Sequence, residues 1–213
     1  MIYERLDAGV PIRQGDIFQD VPFLELPGLQ QISLVRDDEK IQQTSWQDII
    51  EANGDKVACV ATIRRVPAIV LTQDCDAVRA AELCLCEIRP FAEVAPDSKK
   101  ADKPKKFTSF VTRQSRLNQK WLYLPPDPSI GFEVRMGVDF FAILRIPRPD
   151  LEGMRAAHRV GCLTRVARQH FRERVAEFFR RYPYDEWYPL SREEFAAYRE
   201  SAPDADPFPW QRS

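Results

Sequence analysis

The tripeptide Asp74-Cys75-Asp76 concentrates more reactive chemistry than any other stretch of the chain. It follows directly on Pro67-Ala68-Ile69-Val70-Leu71-Thr72, a run whose end would present functional groups. Three readings of it are open. A nucleophilic Cys75 needs a base, and only two histidines, His158 and His170, exist to supply one. Two flanking carboxylates work against this, because like charge raises a thiol pKa and suppresses the thiolate. A metal could take Asp74, Cys75, Asp76 and a histidine, but both histidines lie far away in sequence, and no metal site is assigned. The plainest reading is a turn in which Asp76 caps a short helix over Ala77–Ala81 and Cys75 packs inward. His170, beside the apolar Phe171, reads as a packed or surface residue, and His158 as a loop residue.

Cations form the second chemical signal. Lys99, Lys100, Lys103, Lys105 and Lys106 fall within a polar stretch read as a mobile loop, and Arg113 and Arg116 follow it. Phe107, Phe110 and Trp121 interleave with them, as in a loop that contacts phosphates and stacks single-stranded RNA bases. Solvated surface charge is the alternative. A second set, Arg165, Arg168, Arg172, Arg174, Arg180 and Arg181, lies on the strongest helical pattern.

The whole chain limits what these groups can belong to. It has 213 residues, 31 Lys+Arg against 32 Asp+Glu, and a net charge of -1, which disfavours a surface coated in positive charge for wrapping duplex DNA. Glycine is scarce, at 8, and no phosphate-binding glycine loop is present, so neither a nucleotide motor nor a Rossmann dehydrogenase is expected and no cofactor is implied. No apolar run approaches the ~20 residues of a membrane span. Five cysteines without C-x-x-C spacing predict free thiols in a reducing cytoplasm.

The elements that must position the candidates are mostly strands. Asp16 to Phe18, Val57–Ile63, Pro67–Thr72, Leu83–Ile88, Trp121–Leu124 and Val138–Ile146 carry strand character, and Phe132–Met136 alternates. Trp46–Ala52 reads as a short helix capped by Thr44 or Ser45 and stopped by Asn53-Gly54. Ala167, Phe171, Val175 and Phe178 recur at helical spacing behind a Thr164 cap, and a further helix is expected from Ser191, where Glu194 completes a capping box. Short strands followed by helices predict a small barrel or half-open sheet with helices on one side. The predicted division is 1–181, a barrel with a closing helix, and 182–213, a helical and Pro/aromatic-rich extension that wraps the barrel or anchors a partner.

The order of several motifs resembles the MazF/PemK toxins, small SH3-like barrels that cleave RNA. Gly15-Asp16-Ile17 stands where that family opens its first strand, and Arg65-Val66-Pro67-Ala68-Ile69-Val70-Leu71-Thr72 is similar to its Arg-Pro-Ala-Val-Val-Leu-Ser strand. Leu83 to Ile88, Phe132-Glu133-Val134 and Arg159-Val160-Gly161-Cys162-Leu163 follow in the same order, over about residues 13–180 with gaps. The resemblance implies a mainly β SH3-like barrel with a long first loop and C-terminal helices, in a cytoplasmic prokaryotic stress or defence system of the toxin–antitoxin kind. The family's catalytic arginine directly precedes the strand proline, where this chain has Val66, with Arg65 and Arg64 just before it. Its catalytic threonine follows the next strand, where this chain has Arg89-Pro90-Phe91. Attack by an RNA 2′-hydroxyl needs a proton acceptor and a cation for the phosphorane. Arg65 and Arg89 could supply the cation, but no base stands in the matching place. The expectation is a diverged member that binds a protein or single-stranded RNA; the alternatives are an endoribonuclease with an altered site and a Cys75-dependent enzyme.

Overall fold

A computed structural model describes residues 2–25, 28–35, 40–52, 57–101, 103–117, 120–180, 196, 197 and 200. Contacts divide the chain into two compact units, Met1–Phe178 and Phe179–Ser213. Within the second unit Ala196, Ala197 and Glu200 are helical; the helix expected from Ser191, its Glu194 box and most of the aromatic tail lie outside the described residues.

The first half of the chain runs β1 (Tyr3–Glu4), β2 (Asp16–Glu25), β3 (Ile32–Val35), β4 (Ile41–Thr44), α1 (Trp46–Glu51), β5 (Cys59–Val60), β6 (Thr62–Val70), α2 (Asp74–Ala77) and β7 (Glu82–Pro90). The second half runs α3 (Phe91–Val94), a 3-10 turn (Pro96–Lys100), α4 (Pro104–Leu117), β8 (Trp121–Leu124) and a second 3-10 turn (Pro128–Ile130). It continues through β9 (Met136–Pro147), α5 (Arg148–His158), β10 (Arg159–Leu163) and α6 (Arg165–Phe179). Seven strands form one antiparallel sheet in the order β1-β10-β2-β6-β7-β9-β8, and β4-β3-β5 form a separate three-stranded sheet.

The large sheet curls until its two edges meet through side chains. Tyr3 of β1 donates its hydroxyl to the Pro125 carbonyl just beyond β8, at 2.9 Å, and its ring meets Phe132 edge-on at 6.0 Å. Arg5 reaches the Ser129 carbonyl at 2.8 Å. The result is a mainly β, antiparallel half-barrel. Because a strand alternates its side chains, β2, β6, β7 and β9 each feed two cores. Ile17, Ile69, Cys86, Ile88 and Val138 join Phe171 of α6 on one side, while Phe18, Val66, Ala68, Leu83 and Leu85 join Leu151 of α5 on the other. Pro67 begins the apolar part of β6, the middle strand of seven, where Ala68, Ile69 and Val70 are fully buried. Helices cover both faces, not one.

Several expectations are corrected by packing. Four of the five lysines lie in regular structure and not in a loop: Lys99 and Lys100 end the 3-10 turn, and Lys105 and Lys106 start α4, each element opened by a proline, Pro96 and Pro104, whose fixed φ suits a first helical position; Lys103 stands just before α4. Phe107 and Trp121 are buried against Phe91, and Phe110 packs on the same cluster, so none of the three is a base-stacking platform. β9 ends at Pro147, and the residues after it form the unanticipated α5, with Pro147 at the N-cap and Pro149 in the first turn. His158 is therefore the last residue of a helix. The Val57–Ile63 run divides into β5 and the beginning of β6, and from Phe132–Met136 Phe132 makes an isolated bridge to Asp127 while Met136 begins β9. Ser45, as predicted, caps α1, with Asp48 closing the box.

Candidate functional site

The site begins at a defect in β2. Its register against β6 shifts between Phe18 and Val21, and within that bulge Asp20 adopts a φ of 56°, the sole non-glycine positive φ among the described residues. Left-handed backbone is unfavourable for L-residues and least so for short polar ones such as Asp, and a bulge of this kind re-aims its side chain. The Asp20 carboxylate lies 3.7 Å from Nη1 of Arg65, on β6, and 3.6 Å from Nδ1 of His158, at the end of α5. Three elements thus bring an acid, a guanidinium and an imidazole to one partly exposed surface. Chemically, imidazole can take and return a proton, guanidinium can hold a phosphate oxygen, and the carboxylate stands at ion-pair distance from both.

The next residue after His158 enters a buried network of its own. Arg159 is 2 % exposed at its side chain and bonds the fully buried Asp16 at 3.0 Å, and it also donates to the carbonyls of Asp7, Val10 and Pro11. Desolvation pushes the Asp16 carboxyl up to about 6, with the Arg159 hydrogen bond pulling the other way. Arg13 joins the same network, bonding Glu4 at 2.6 Å and Cys162 Sγ at 3.1 Å. Burial raises the Cys162 thiol to about 11, so it remains a thiol. His158 and Arg159, adjacent in sequence, reach two acids on one strand, Asp20 and Asp16.

The other predicted residues are dispersed. Arg89 faces Asp139 of β9 at 3.5 Å, on the far side of β7 from β6, so Arg65 and Arg89 answer to different carboxylates and do not form one site. Arg64, next to Arg65, makes a bidentate pair with the buried Glu87 at 2.6 and 2.8 Å and also bonds Glu25. These hydrogen bonds, that of Glu87 above all, hold its guanidinium firmly charged.

Asp74, Cys75 and Asp76 lie on α2 and serve different ends. The Asp74 carboxylate accepts the Gln14 backbone N–H at 2.8 Å and bonds Arg172 of α6, tying the start of β2 to that helix. Asp76 lies inside α2 and pairs with Arg79 at 2.7 Å, so it does not cap a helix over Ala77–Ala81; Gln73 holds the N-cap position. Cys75 is exposed, not packed inward. Neither histidine touches the tripeptide, and among the described residues no group of three or more His, Cys, Asp or Glu is placed to hold a metal. Lys100 pairs with Asp97 at 2.7 Å, and Arg113 and Arg116 lie on α4.

A groove of about 560 Å³ opens beside β8, between α4 and α6. Ile2, Val111, Leu124, Val166, Ala167 and His170 line it. Reading the chain alone missed this groove, because it arises where two helices distant in sequence flank one edge strand. It also missed Asp20, since nothing in Gln19-Asp20-Val21 announces a bulge, and it passed over His158 once α5 went unrecognised.

Fold and site together define a class: a curled antiparallel half-barrel with helices on both faces and an Asp–Arg–His cluster on a bulged strand. No protein-family model, curated protein or solved structure matches the chain. Among the described residues no helix is long and apolar enough to cross a membrane.

Proposed function

We propose that this chain is a diverged MazF/PemK-like barrel of SH3 type that acts in a prokaryotic stress or defence system by binding a protein, and that an acidic amphipathic helix of that protein seats between α4 and α6. One observation carries the reading: an apolar groove lies between two strongly basic helices. In sequence α4 carries Lys105, Lys106, Arg113 and Arg116 and no acid; α6 carries Arg165, Arg168, Arg172 and Arg174, of which Arg172 is paired with Asp74 and Arg174 with Glu177. Apolar walls between two helices rich in bases suit a helix laid in by its apolar face with acids outward. Single-stranded RNA is less well served, because Phe107 and Trp121 are spent in the core.

The test is titration of the labelled full chain with an acidic Leu/Glu amphipathic helical peptide, followed by NMR. Shifts centred on Val111, Val166, Ala167 and His170 are expected. Val166 is 80 % exposed, so Val166→Asp should leave the fold intact and weaken binding at least tenfold, about 1.4 kcal/mol. Equal binding by the variant, or displacement of the peptide by single-stranded RNA, counts against the reading.

The Asp20–Arg65–His158 cluster favours one second reading, an endoribonuclease in which His158 takes the 2′-hydroxyl proton and Arg65 stabilises the phosphorane. It departs from the pairing of Arg65 with Arg89 by using a base that sequence order does not reveal. Under the leading proposal purified protein leaves single-stranded RNA intact. Cleavage that ends in a 2′,3′-cyclic phosphate and falls by about 10²-fold or more in both His158→Ala and Arg65→Ala would establish the second reading instead.

A further inference from the structure

A second cavity, of about 590 Å³, shares no lining residue with the groove. It is walled by the 3-10 turn Pro96–Lys100, the start of α4, the end of β7 and the residues that lead into β9. Most of the wall is apolar. Pro90, Pro126 and Val134 contribute to it, and Phe91 and Phe107 bring the aromatic cluster to it. A cavity of this size, lined mainly by apolar and aromatic groups with a few polar ones, suits a small molecule.

The polar groups choose the ligand's charge. Ser98, Lys99 and Arg135 line the cavity, and among the described residues no acid does. The Arg135 guanidinium carbon lies 3.7 Å from the centre of the Phe107 ring. Such a stack engages the flat face of the group and leaves its N–H edge for other partners. Arg135 hydrogen-bonds the Tyr123 phenol, but among the described residues no carboxylate pairs with it. Ser98 is 8 % exposed and its hydroxyl makes no hydrogen bond among the described residues. A buried hydroxyl without a partner is unfavourable, and a bound acceptor removes that cost. Lys99 is exposed and, unlike Lys100, which holds Asp97, has no carboxylate partner among the described residues. The backbone N–H groups of Ser98, Ala101 and Phe107 are spent on the carbonyls of Ala95, Ser98 and Lys103. Phosphate sites commonly draw on such N–H groups. One guanidinium, one hydroxyl and one ammonium instead match the two oxygens and single charge of a carboxylate.

We infer that this cavity binds a small organic carboxylate with an apolar body. Arg135 supplies the charge that selects the carboxylate, Ser98 and Lys99 supply further donors, and the apolar wall takes the body. The site uses none of the residues that line the groove, so the inference stands independently of the function proposed above.

The test is calorimetric titration of the full chain with four probes: 2-naphthoate, 2-naphthamide, 2-naphthyl phosphate and acetate. Saturable binding of naphthoate is expected. The amide, which lacks the charge, and acetate, which lacks the body, should bind at least tenfold more weakly, and the phosphate no more tightly than naphthoate. NMR shifts on adding naphthoate should centre on Ser98, Ala101, Val134 and Arg135 and not on Val111 and Val166 of the groove. Arg135→Gln, at an exposed position, should keep its melting temperature and weaken naphthoate at least tenfold. Ser98→Ala and Lys99→Gln should each weaken it at least threefold, and they keep the test open should Arg135→Gln fail to fold. No saturable binding, an amide that binds as tightly as the acid, a phosphate ester at least tenfold tighter, shifts centred on the groove, or naphthoate binding unchanged in every folded variant overturns the inference.

Discussion

Ile69→Asp should lose about 3 kcal/mol or more of folding stability, enough to lower the melting temperature by roughly 6–12 °C in a chain of this size. The residue has no exposed surface and sits in the central strand, opposite Ile17 on one neighbour and Cys86 on the other. It belongs to a cluster of apolar side chains drawn from β1, β2, β7, β8, β9, β10 and α6. A carboxylate there must either remain charged without a partner or hold a proton, and both are costly. Thermal unfolding followed by circular dichroism measures the loss, and an unchanged melting temperature would place Ile69 outside the core.

Arg159→Ala should cost about 3–5 kcal/mol near neutral pH, because it strands a buried charge instead of removing a pair. Asp16 would keep only the Arg13 backbone N–H at 3.3 Å and the Arg13 guanidinium at 3.7 Å. The loss depends on pH. Asp16 in the folded protein holds its proton up to about 6, against an ordinary value of 3.8. A carboxyl raised in the fold binds its proton more tightly folded than unfolded, so its contribution to stability falls as pH rises from about 4 to 6 and is flat outside that window. Once the carboxyl is neutral it has little need of Arg159. Urea unfolding should therefore show a larger gap between wild type and Arg159→Ala at pH 7.5 than at pH 4.5, and Asp16→Asn should flatten the wild-type slope within the window. A gap that stays constant across this range would show that Arg159 acts by tying the carbonyls of Asp7, Val10 and Pro11 alone.

The middle strands were legible because their sequence leaves few choices. Ala68-Ile69-Val70 is short, apolar and rich in β-branched residues, Leu83 to Ile88 is short and largely apolar, and a segment buried on both faces needs such composition. The α1 cap and α6 were legible for the same kind of local reason: Thr44 and Ser45 as candidate caps before Trp46, of which Ser45 is the cap, and apolar residues at a period of 3.6. α5 was hidden by its own prolines, which end a strand and start a helix with equal ease. The polar stretch around Lys99 to Lys106 misled because its lysines are conspicuous and its anchors are few. Phe107 anchors the first turns of α4 through partners at Phe91 and Tyr123 that no local window contains.

By itself the sequence determined the central strands of the sheet, the final helix, the free cysteines and the placing of positive charge in two stretches, since each depends on residues near one another along the chain. The tertiary structure alone decided which charges meet. Arg65 finds Asp20 because a one-residue bulge turns that acid outward, and His158 joins them because α5 ends there. Asp74 finds Arg172 across 98 residues, and the groove opens where α4 and α6 flank one edge strand. Such encounters are set by sheet register, strand order and curl, which depend on the whole chain packing at once, whereas a motif records only what its neighbours dictate.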